Sequence, residues 1–320
     1  MARVDYWFKN VFVLPGIVVA IGTIPAVDWW ALGARALIGV ASICLVASSN
    51  YTLNEILDAP TDRFHVDKRH RPIAAGRVRP AAGYVQWLLL AGLGFSLAWR
   101  VSVPFLVTMV VLWTMACAYN VPPVRTKDVP YLDVLTEAVN NPLRMLAGWF
   151  MVTEQTTAPS SLLLCYWMIG CYFMALKRYA ELVAIGDRAR AAAYRKSFAF
   201  YTTERLLVGI MFSATAAMLF FGAFCMRYRM ELILAFPFVA LVMALYLQVA
   251  LKPDSAAQQP ERLYRERGLM FAVITATAVI LLLLRNDIPA MYRFFAPTAP
   301  VQEHIASAAM VSTRHTPFVP

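Results

Sequence analysis

The chain has 320 residues, of which 60% are hydrophobic and only 15% are charged, and its formal net charge is +10. This composition excludes an ordinary soluble domain and predicts a protein embedded in a lipid bilayer. Anionic lipid head groups account for the excess of Lys and Arg, and no interleaved aromatic and basic pattern indicates a nucleic-acid partner.

Apolar runs divide the chain into predicted membrane-spanning helices. A bilayer core about 30 Å thick needs roughly 20 apolar residues per helix, and about nine such runs are present. The predicted spans are 11–27, 33–55, 83–99, 103–119, 132–152, 161–183, 206–226, 231–251 and 268–285. We therefore expect an all-α polytopic membrane protein, with one transmembrane domain over 1–288 and a loosely ordered tail over 289–320.

Lys and Arg are concentrated before the first predicted span and after the second, fourth, sixth and eighth. By the positive-inside rule these segments face the cytoplasm. The pattern predicts that the N-terminus lies inside and the C-terminus outside, and we expect the membrane to be a bacterial inner membrane. The sequence leaves the oligomeric state open, a homo-oligomer included.

Polar residues in the second span are spaced four apart, at Asn50, Asn54, Asp58 and Asp62. This spacing places them on one helical face, running toward the helix end that Pro60 limits. Asn and Asp oxygens suit Mg²⁺, which takes its remaining ligands from water and phosphates. A solvated helix end is the alternative interpretation, although carboxylates beside a membrane span are usually functional.

A cluster of basic residues follows the carboxylates directly. It consists of Lys68, Arg69, His70, Arg71, Arg77 and Arg79. Such cations suit the phosphates of a substrate, so Lys68 and Arg71 are candidate substrate-binding residues.

The two clusters together resemble a known family. The segment from Asn54 to Asp62, NEILDAPTD, resembles the first aspartate-rich motif, NDxxDxxxD, of the UbiA superfamily of intramembrane prenyltransferases. The segment from Lys68 to Gly76, KRHRPIAAG, resembles that superfamily's KRxRPIAAG continuation. The resemblance implies helices around a central cavity and a Mg²⁺ cofactor. Its implied metal ligands are Asn54, Glu55, Asp58 and Asp62, where Glu55 replaces the usual Asp.

The loop from Tyr119 to Asp128 contains two prolines and lies on the same predicted face. It resembles the superfamily's YSxPPxxxK loop, which implies that Tyr119 and Lys127 face the active site. An ordinary aromatic and basic membrane border is the alternative.

In the fifth span, Glu137, Asn141 and Arg144 share a helical face. Glu137 and Arg144 would form a structural ion pair, or Arg144 would neutralise a substrate phosphate. The second interpretation is favoured by the resemblance of this segment to the LRxLAG sequence of one superfamily branch, the decaprenyl-phosphate phosphoribosyltransferases.

The segment from Lys177 to Leu182, KRYAEL, stands where ordinary aromatic prenyltransferases of the superfamily carry a second motif, DxxxD. The phosphoribosyltransferase branch resembles the present chain here, at Arg195–Ser197 and around Lys9. We expect basic side chains to bind the additional phosphates of such substrates and Glu181 to orient ribose hydroxyls. The candidate cations are Lys9, Lys177, Arg178, Arg195 and Lys196.

The resulting hypothesis is a Mg²⁺-dependent membrane transferase acting in cell-envelope biosynthesis. It would move 5-phosphoribose from phosphoribosyl diphosphate to a polyprenyl phosphate, with Asp58, Asp62, Lys177 and Glu181 as catalytic residues. Prenyl transfer from a polyprenyl diphosphate to an aromatic acceptor such as 4-hydroxybenzoate is the first alternative. A non-enzymatic transporter or lipid-binding protein is the second.

Overall fold

A computed structural model describes residues 1–22, 24, 27–63, 68–252, 255–258 and 260–295, and none of these residues lies in a β-strand. A 3-10 helix over Val4–Val13 leads directly into the first α-helix. The α-helices of the described part are α1 (Leu14–Ile21), α2 (Trp29–Asp62), α3 (Pro80–Val101), α4 (Val103–Asn120), α5 (Leu132–Ala138), α6 (Asn140–Val152), α7 (Ser160–Ile185), α8 (Arg188–Tyr194), α9 (Thr203–Tyr228), α10 (Phe236–Ala250), α11 (Arg267–Arg285) and α12 (Pro289–Phe294).

Eight helical segments of the described chain are long and apolar enough to cross a bilayer. They are Val4–Ile21, Trp29–Asp62, Pro80–Val101, Val103–Asn120, Ser160–Ile185, Thr203–Tyr228, Met230–Ala250 and Arg267–Arg285. The fifth predicted span, 132–152, is divided into α5 and α6 at Val139. Pro142 has no N–H to donate to the carbonyl of Ala138, so a continuous helix would lack that hydrogen bond. The expectation of about nine spans is therefore close.

The helix α2 is longer than the sequence predicts. It begins after Asp28, whose side chain accepts hydrogen bonds from two N–H groups of the first turn, and it has 34 residues. It passes Pro60 and ends two residues later at Asp62. Asn54, Asp58 and Asp62 therefore lie on one continuous helix, as their spacing of four residues requires.

Buried apolar side chains form two main groups. One joins α1, α2, α3, α4 and α6 and contains Phe105 and Met145; the other joins α5, α7, α9 and α10 and contains Leu176 and Ile210. Many large apolar side chains point outward instead, such as Phe271, which is 73% exposed. An apolar exterior is stable only against lipid. The polar residues described below lie between the two groups.

Different ion pairs lie at the two ends of the bundle. The amino group of Met1 lies 3.7 Å from the Glu55 carboxylate, at the end of α2 that carries the aspartates. At the opposite end, Arg229 pairs with Asp287 at 2.9 Å. The first residues of the predicted tail form α12, where the Tyr292 hydroxyl donates to Glu231 at 3.4 Å. Residues 296–320 of that tail lie outside the described residues.

The helices α1 and α6 pack backbone against backbone through two glycines. A Cβ atom at Gly16 would lie 1.8 Å from the carbonyl oxygen of Met145, and one at Gly148 would lie 2.1 Å from that of Val13. No side chain fits at such distances, so glycine is required at both positions. Small residues at helix crossings permit close packing in membranes, where helices gain little from hydrophobic burial.

We expect the substitution Gly148→Ala to destabilise the protein, because the added methyl group separates α1 from α6. Overpacking of this kind costs about 1–3 kcal/mol. The thermal unfolding midpoint of the detergent-solubilised protein measures it. Gly92→Ala is the matched control, since a Cβ at Gly92 meets nothing within 4 Å. Equal midpoints for the two variants would contradict the close crossing.

Candidate functional site

The aspartate stripe of α2 contacts the loop between α4 and α5. The Lys127 ammonium lies 2.5 Å from Oδ1 of Asp58 and 3.0 Å from Oδ1 of Asn120, and it reaches Oδ1 of Asn54 at 3.5 Å. Arg125 contacts the same Asp58 oxygen at 3.2 Å. The structure therefore brings Lys127 into contact with Asn54 and Asp58, which the sequence analysis selected from a different segment.

The loop is built to place these cations. A 3-10 turn over Thr126–Asp128 follows Arg125, whose φ of 27° lies in the left-handed region that side chains rarely adopt. Arg125 also pairs with Asp128 at 3.2 Å, which fixes the turn. Burial lowers the pKa of Lys127 below its ordinary value, although Asp58 acts in the opposite direction. The charge of Lys127 thus depends on Asp58.

The second aspartate of the stripe has a separate partner. Arg71 donates to Oδ2 of Asp62 at 2.7 Å, and the Asp62 side chain is only 6% exposed. In both aspartates one oxygen makes these contacts, while no described residue donates to Oδ2 of Asp58 or Oδ1 of Asp62. Each carboxylate therefore keeps one oxygen for a further ligand.

These free oxygens fit a hard cation such as Mg²⁺. No group of three or more His, Cys, Asp or Glu residues in the described part forms a metal site by itself. A metal at Asp58 and Asp62 would thus need oxygens from Asn54, water or a bound phosphate, which is how Mg²⁺ is usually held. Glu55 has different surroundings: it is 3% exposed and accepts a hydrogen bond from the Ile73 backbone N–H at 3.2 Å.

The centre of the second polar cluster is Arg178, which is 1% exposed. All three guanidinium nitrogens meet carboxylates: Nε donates to Asp133 at 3.2 Å, Nη1 to Glu181 at 2.9 Å and Nη2 to Glu137 at 2.7 Å. Breaking a buried ion pair leaves an uncompensated charge and costs about 3–5 kcal/mol. The charge of Arg178 is therefore compensated by carboxylates of the protein itself, and we interpret it as an anchor of the cluster.

Asp133 is an important residue that sequence reasoning missed. It is fully buried and accepts hydrogen bonds from the hydroxyls of Tyr201 at 2.6 Å and Ser197 at 3.3 Å, besides its pair with Arg178. Asp133 thereby ties the segment between α8 and α9 to α5. Its position four residues before Glu137, in an otherwise apolar helix, was the available signal.

Two further cations, Arg195 and Lys177, lie beside this cluster. Arg195 donates to the Tyr119 hydroxyl at 3.3 Å, and its side chain is 21% exposed. The pKa of Arg195 is raised above its ordinary value, so the side chain stays charged. Burial and the nearby Arg178 act to lower this pKa, but Tyr119 and Glu181 are among the groups that outweigh them. Lys177 lies near Glu137 and Glu181 and makes no hydrogen bond or ion pair with any described residue.

Arg144 does not pair with Glu137, so the ion pair considered from the sequence does not form. Its Nε donates to Oδ1 of Asn10 at 3.1 Å and its Nη1 to the Asn140 carbonyl at 3.3 Å. The side chain is buried, and no carboxylate among the described residues lies within ion-pair distance of it. A buried cation without a counter-charge is costly and favours an anionic ligand.

Three other predicted substrate cations contact groups outside the two acidic clusters. Lys196 is 80% exposed and pairs with Asp128 at 3.3 Å, on the surface of the protein. Lys68 approaches the Tyr194 hydroxyl at 3.4 Å. Lys9 lies 3.9 Å from the centre of the Tyr6 ring, where a cation–π interaction holds it.

Comparison with known proteins agrees with this architecture. A model of the UbiA prenyltransferase family matches residues 10–275. The decaprenyl-phosphate phosphoribosyltransferase of Mycolicibacterium smegmatis is 31% identical over 221 residues, which cover 69% of this chain and 67% of that protein. The enzyme of the same name from Mycobacterium tuberculosis is 33% identical over 220 residues, covering 69% of this chain and 70% of that protein.

Solved structures show the same fold. A UbiA homolog from Archaeoglobus fulgidus, bound to DMAPP and Mg²⁺, superposes with a TM-score of 0.67 at 18% identity, covering 88% of this chain and 97% of that one. A UbiA homolog from Aeropyrum pernix K1 superposes with a TM-score of 0.62 at 17% identity, covering 86% and 98%. The family match extends over most of the sequence, and the chain therefore belongs to the UbiA prenyltransferase family of integral membrane transferases.

Proposed function

We propose that the protein transfers 5-phosphoribose from phosphoribosyl diphosphate to a polyprenyl phosphate within the membrane. The identity to decaprenyl-phosphate phosphoribosyltransferases, 31% and 33% for two of them, supports this reaction. The side-chain arrangement supports it independently, as described next.

The observation that carries the proposal is the position of Arg178. An enzyme that ionises a prenyl diphosphate with two metal-binding motifs needs free carboxylates at both. Here the first cluster keeps free oxygens on Asp58 and Asp62, whereas Arg178 binds the three carboxylates of the second. A guanidinium among carboxylates opposes a second metal ion by charge repulsion. One metal together with the nearby cations Lys127, Lys177 and Arg195 suits a donor and an acceptor that both carry phosphate, although Arg195 also lies 3.5 Å from Asp133.

Asn54, Asp58 and Asp62 would hold Mg²⁺ through their oxygens, since each aspartate keeps one oxygen without a described partner. When bound, the metal would neutralise charge on the departing diphosphate. Lys127 contacts both Asn54 and Asp58 and is therefore placed to donate to the same diphosphate. Such charge-assisted hydrogen bonds strengthen as negative charge develops on the leaving group.

The remaining cations are proposed to bind the other phosphates. Arg195 and Lys177 lie beside the second cluster and suit the 5-phosphate of the donor. Arg144, buried without a carboxylate partner, suits the phosphate of the lipid acceptor. In the reaction, an acceptor phosphate oxygen forms a bond to C1 of the ribose while the bond from C1 to the diphosphate breaks. The acceptor is already an anion near neutral pH, so no strong general base is required.

We propose that the end of the bundle carrying Asp58 faces the cytoplasm of a bacterial inner membrane. The described Lys and Arg residues that contact the site, such as Lys127 and Arg195, lie at this end, as does the amino group of Met1. The positive-inside rule places such an end in the cytoplasm. The described C-terminal end then lies outside.

A label-transfer assay tests the proposed reaction. Membranes containing the protein receive Mg²⁺, polyprenyl phosphate and labelled phosphoribosyl diphosphate, and parallel membranes receive labelled prenyl diphosphate and 4-hydroxybenzoate. We expect label to enter lipid in the first set alone. Label in the aromatic product would instead establish prenyl transfer, and no label in either product would favour a transporter or lipid-binding protein.

The substitution Asp58→Asn should reduce transfer by at least about 100-fold, because the carboxylate that binds Lys127 and the metal is lost. Asp187→Asn is a matched control: Asp187 is exposed and caps α8, and asparagine caps helices equally well. Both variants are compared with wild type for the amount of folded protein in the membrane. Full activity of Asp58→Asn would contradict the metal site.

Removal of divalent metal should stop transfer. Without the metal ion, the carboxylates of Asp58 and Asp62 would repel the negatively charged diphosphate. Treatment with a chelator followed by addition of Mg²⁺ measures this dependence. We expect activity to disappear and then return. Undiminished activity in excess chelator would be inconsistent with a bound metal.

The substitution Arg144→Gln should raise the KM for polyprenyl phosphate by at least about tenfold, since a charged hydrogen bond contributes about 1.5–3 kcal/mol. The KM for phosphoribosyl diphosphate should change less. Arg144→Lys, which keeps the charge, should recover part of the loss. Arg100→Gln is the control, because Arg100 is exposed in the last turn of α3. A larger effect on the donor KM would contradict the assignment.

A further inference from the structure

Two carboxylates beside the proposed phosphate-binding cations remain partly exposed. Glu137 and Glu181 lie deep in the bundle, yet their side chains remain 31% and 15% exposed. Each uses one oxygen, Oε2, to bind Arg178. No described residue donates to Oε1 of either one, and neither Oε1 belongs to the buried polar atoms that lack a partner. With respect to the described residues, both Oε1 atoms are therefore accessible to a ligand.

The chemistry of these two oxygens limits what they accept. A phosphate would be repelled by them, and a metal ion would be repelled by Arg178, which lies within 2.9 Å of both carboxylates. A neutral hydrogen-bond donor fits these two oxygens, while Lys177 and Arg195 nearby suit a phosphate of the same molecule. A carboxylate that accepts from a hydroxyl forms a short, charge-assisted hydrogen bond.

We infer that Glu137 and Glu181 form a hydroxyl-binding subsite that selects a ribosyl donor over a prenyl donor. This inference rests on the proposed function and identifies the part of the donor that the two residues contact, the hydroxyls at C2 and C3 of the ribose. A prenyl chain carries no hydroxyl, so it would bury the Oε1 atoms of both glutamates without a hydrogen-bond donor. Sites built to bind a hydroxyl strongly reject analogues that lack it.

The subsite is fixed before the substrate arrives. Arg178 holds the Oε2 atoms of both glutamates, and the Tyr119 hydroxyl donates to Oε2 of Glu137 at 2.9 Å. Asp133 binds the remaining nitrogen of Arg178 and fixes the guanidinium in turn. Because these contacts restrict both side chains, little conformational freedom is lost when hydroxyls bind. Arg178 and Asp133 are positioning residues in this scheme.

Binding measurements on the purified full-length protein with Mg²⁺ test the subsite. The probes are 5-phosphoribosyl diphosphate, its 2-deoxyribose analogue and inorganic pyrophosphate, which has no hydroxyl-bearing sugar. For wild type we expect the 2-deoxy analogue to bind at least about tenfold more weakly than the ribose compound. In Glu181→Gln and Glu137→Gln this ratio should fall toward one, while pyrophosphate affinity should stay within about threefold of wild type.

Glu154→Gln is the matched control, because Glu154 is 49% exposed and lies outside the cavity. Equal affinities of the wild-type protein for 5-phosphoribosyl diphosphate and its 2-deoxyribose analogue would by themselves overturn the subsite. Unchanged ratios in both glutamine variants would also overturn it. In either case, continued transfer of labelled phosphoribose to lipid would leave the proposed function intact. Absence of both binding and transfer of phosphoribosyl diphosphate by wild type would overturn both.

Discussion

A buried guanidinium surrounded by three carboxylates joins the two sides of the cavity. Arg178 on α7 contacts Asp133 and Glu137 on α5 and Glu181 one turn further along its own helix. Removing one member of such a buried cluster leaves an uncompensated charge, so each charge is held in place by the others. The positions of Tyr119 and Arg195, which contact this cluster, follow from it.

The consequence is a site with two unlike acidic clusters. On α2, Asp58 and Asp62 are bound by cations from loops, and each keeps an oxygen for a metal. On α5 and α7, the acidic residues are bound by a cation from within the bundle. We propose that the first cluster binds a metal ion and that the second accepts hydroxyl groups.

Much of this arrangement was predictable from the sequence. Long apolar runs specify the spans, because bilayer thickness fixes the length of a helix. The four-residue spacing of Asn54, Asp58 and Asp62 specifies a common face, and the prolines near Lys127 indicate a fixed loop. The break at Val139 was missed, since an apolar run hides the effect of Pro142 on one hydrogen bond.

Which charge meets which partner was not predictable, because sequence spacing limits only contacts within one helix. Glu137 and Arg144 share a face, yet tertiary packing pairs Glu137 with Arg178 on α7 and leaves Arg144 to Asn10. Lys196 and Arg178 both read as phosphate ligands, but one is on the surface and the other is enclosed by carboxylates. Asp133 had no motif to mark it, and its role depends on residues far along the chain.

The central claim is that only the α2 cluster binds a metal ion. Anomalous scattering from crystals of the protein grown with Mn²⁺ and pyrophosphate tests this most directly, since Mn²⁺ replaces Mg²⁺ at oxygen sites and is located by its own signal. We expect a peak in contact with Asp58 and Asp62 and no peak between Glu137 and Glu181. A metal peak between the two glutamates would contradict the account.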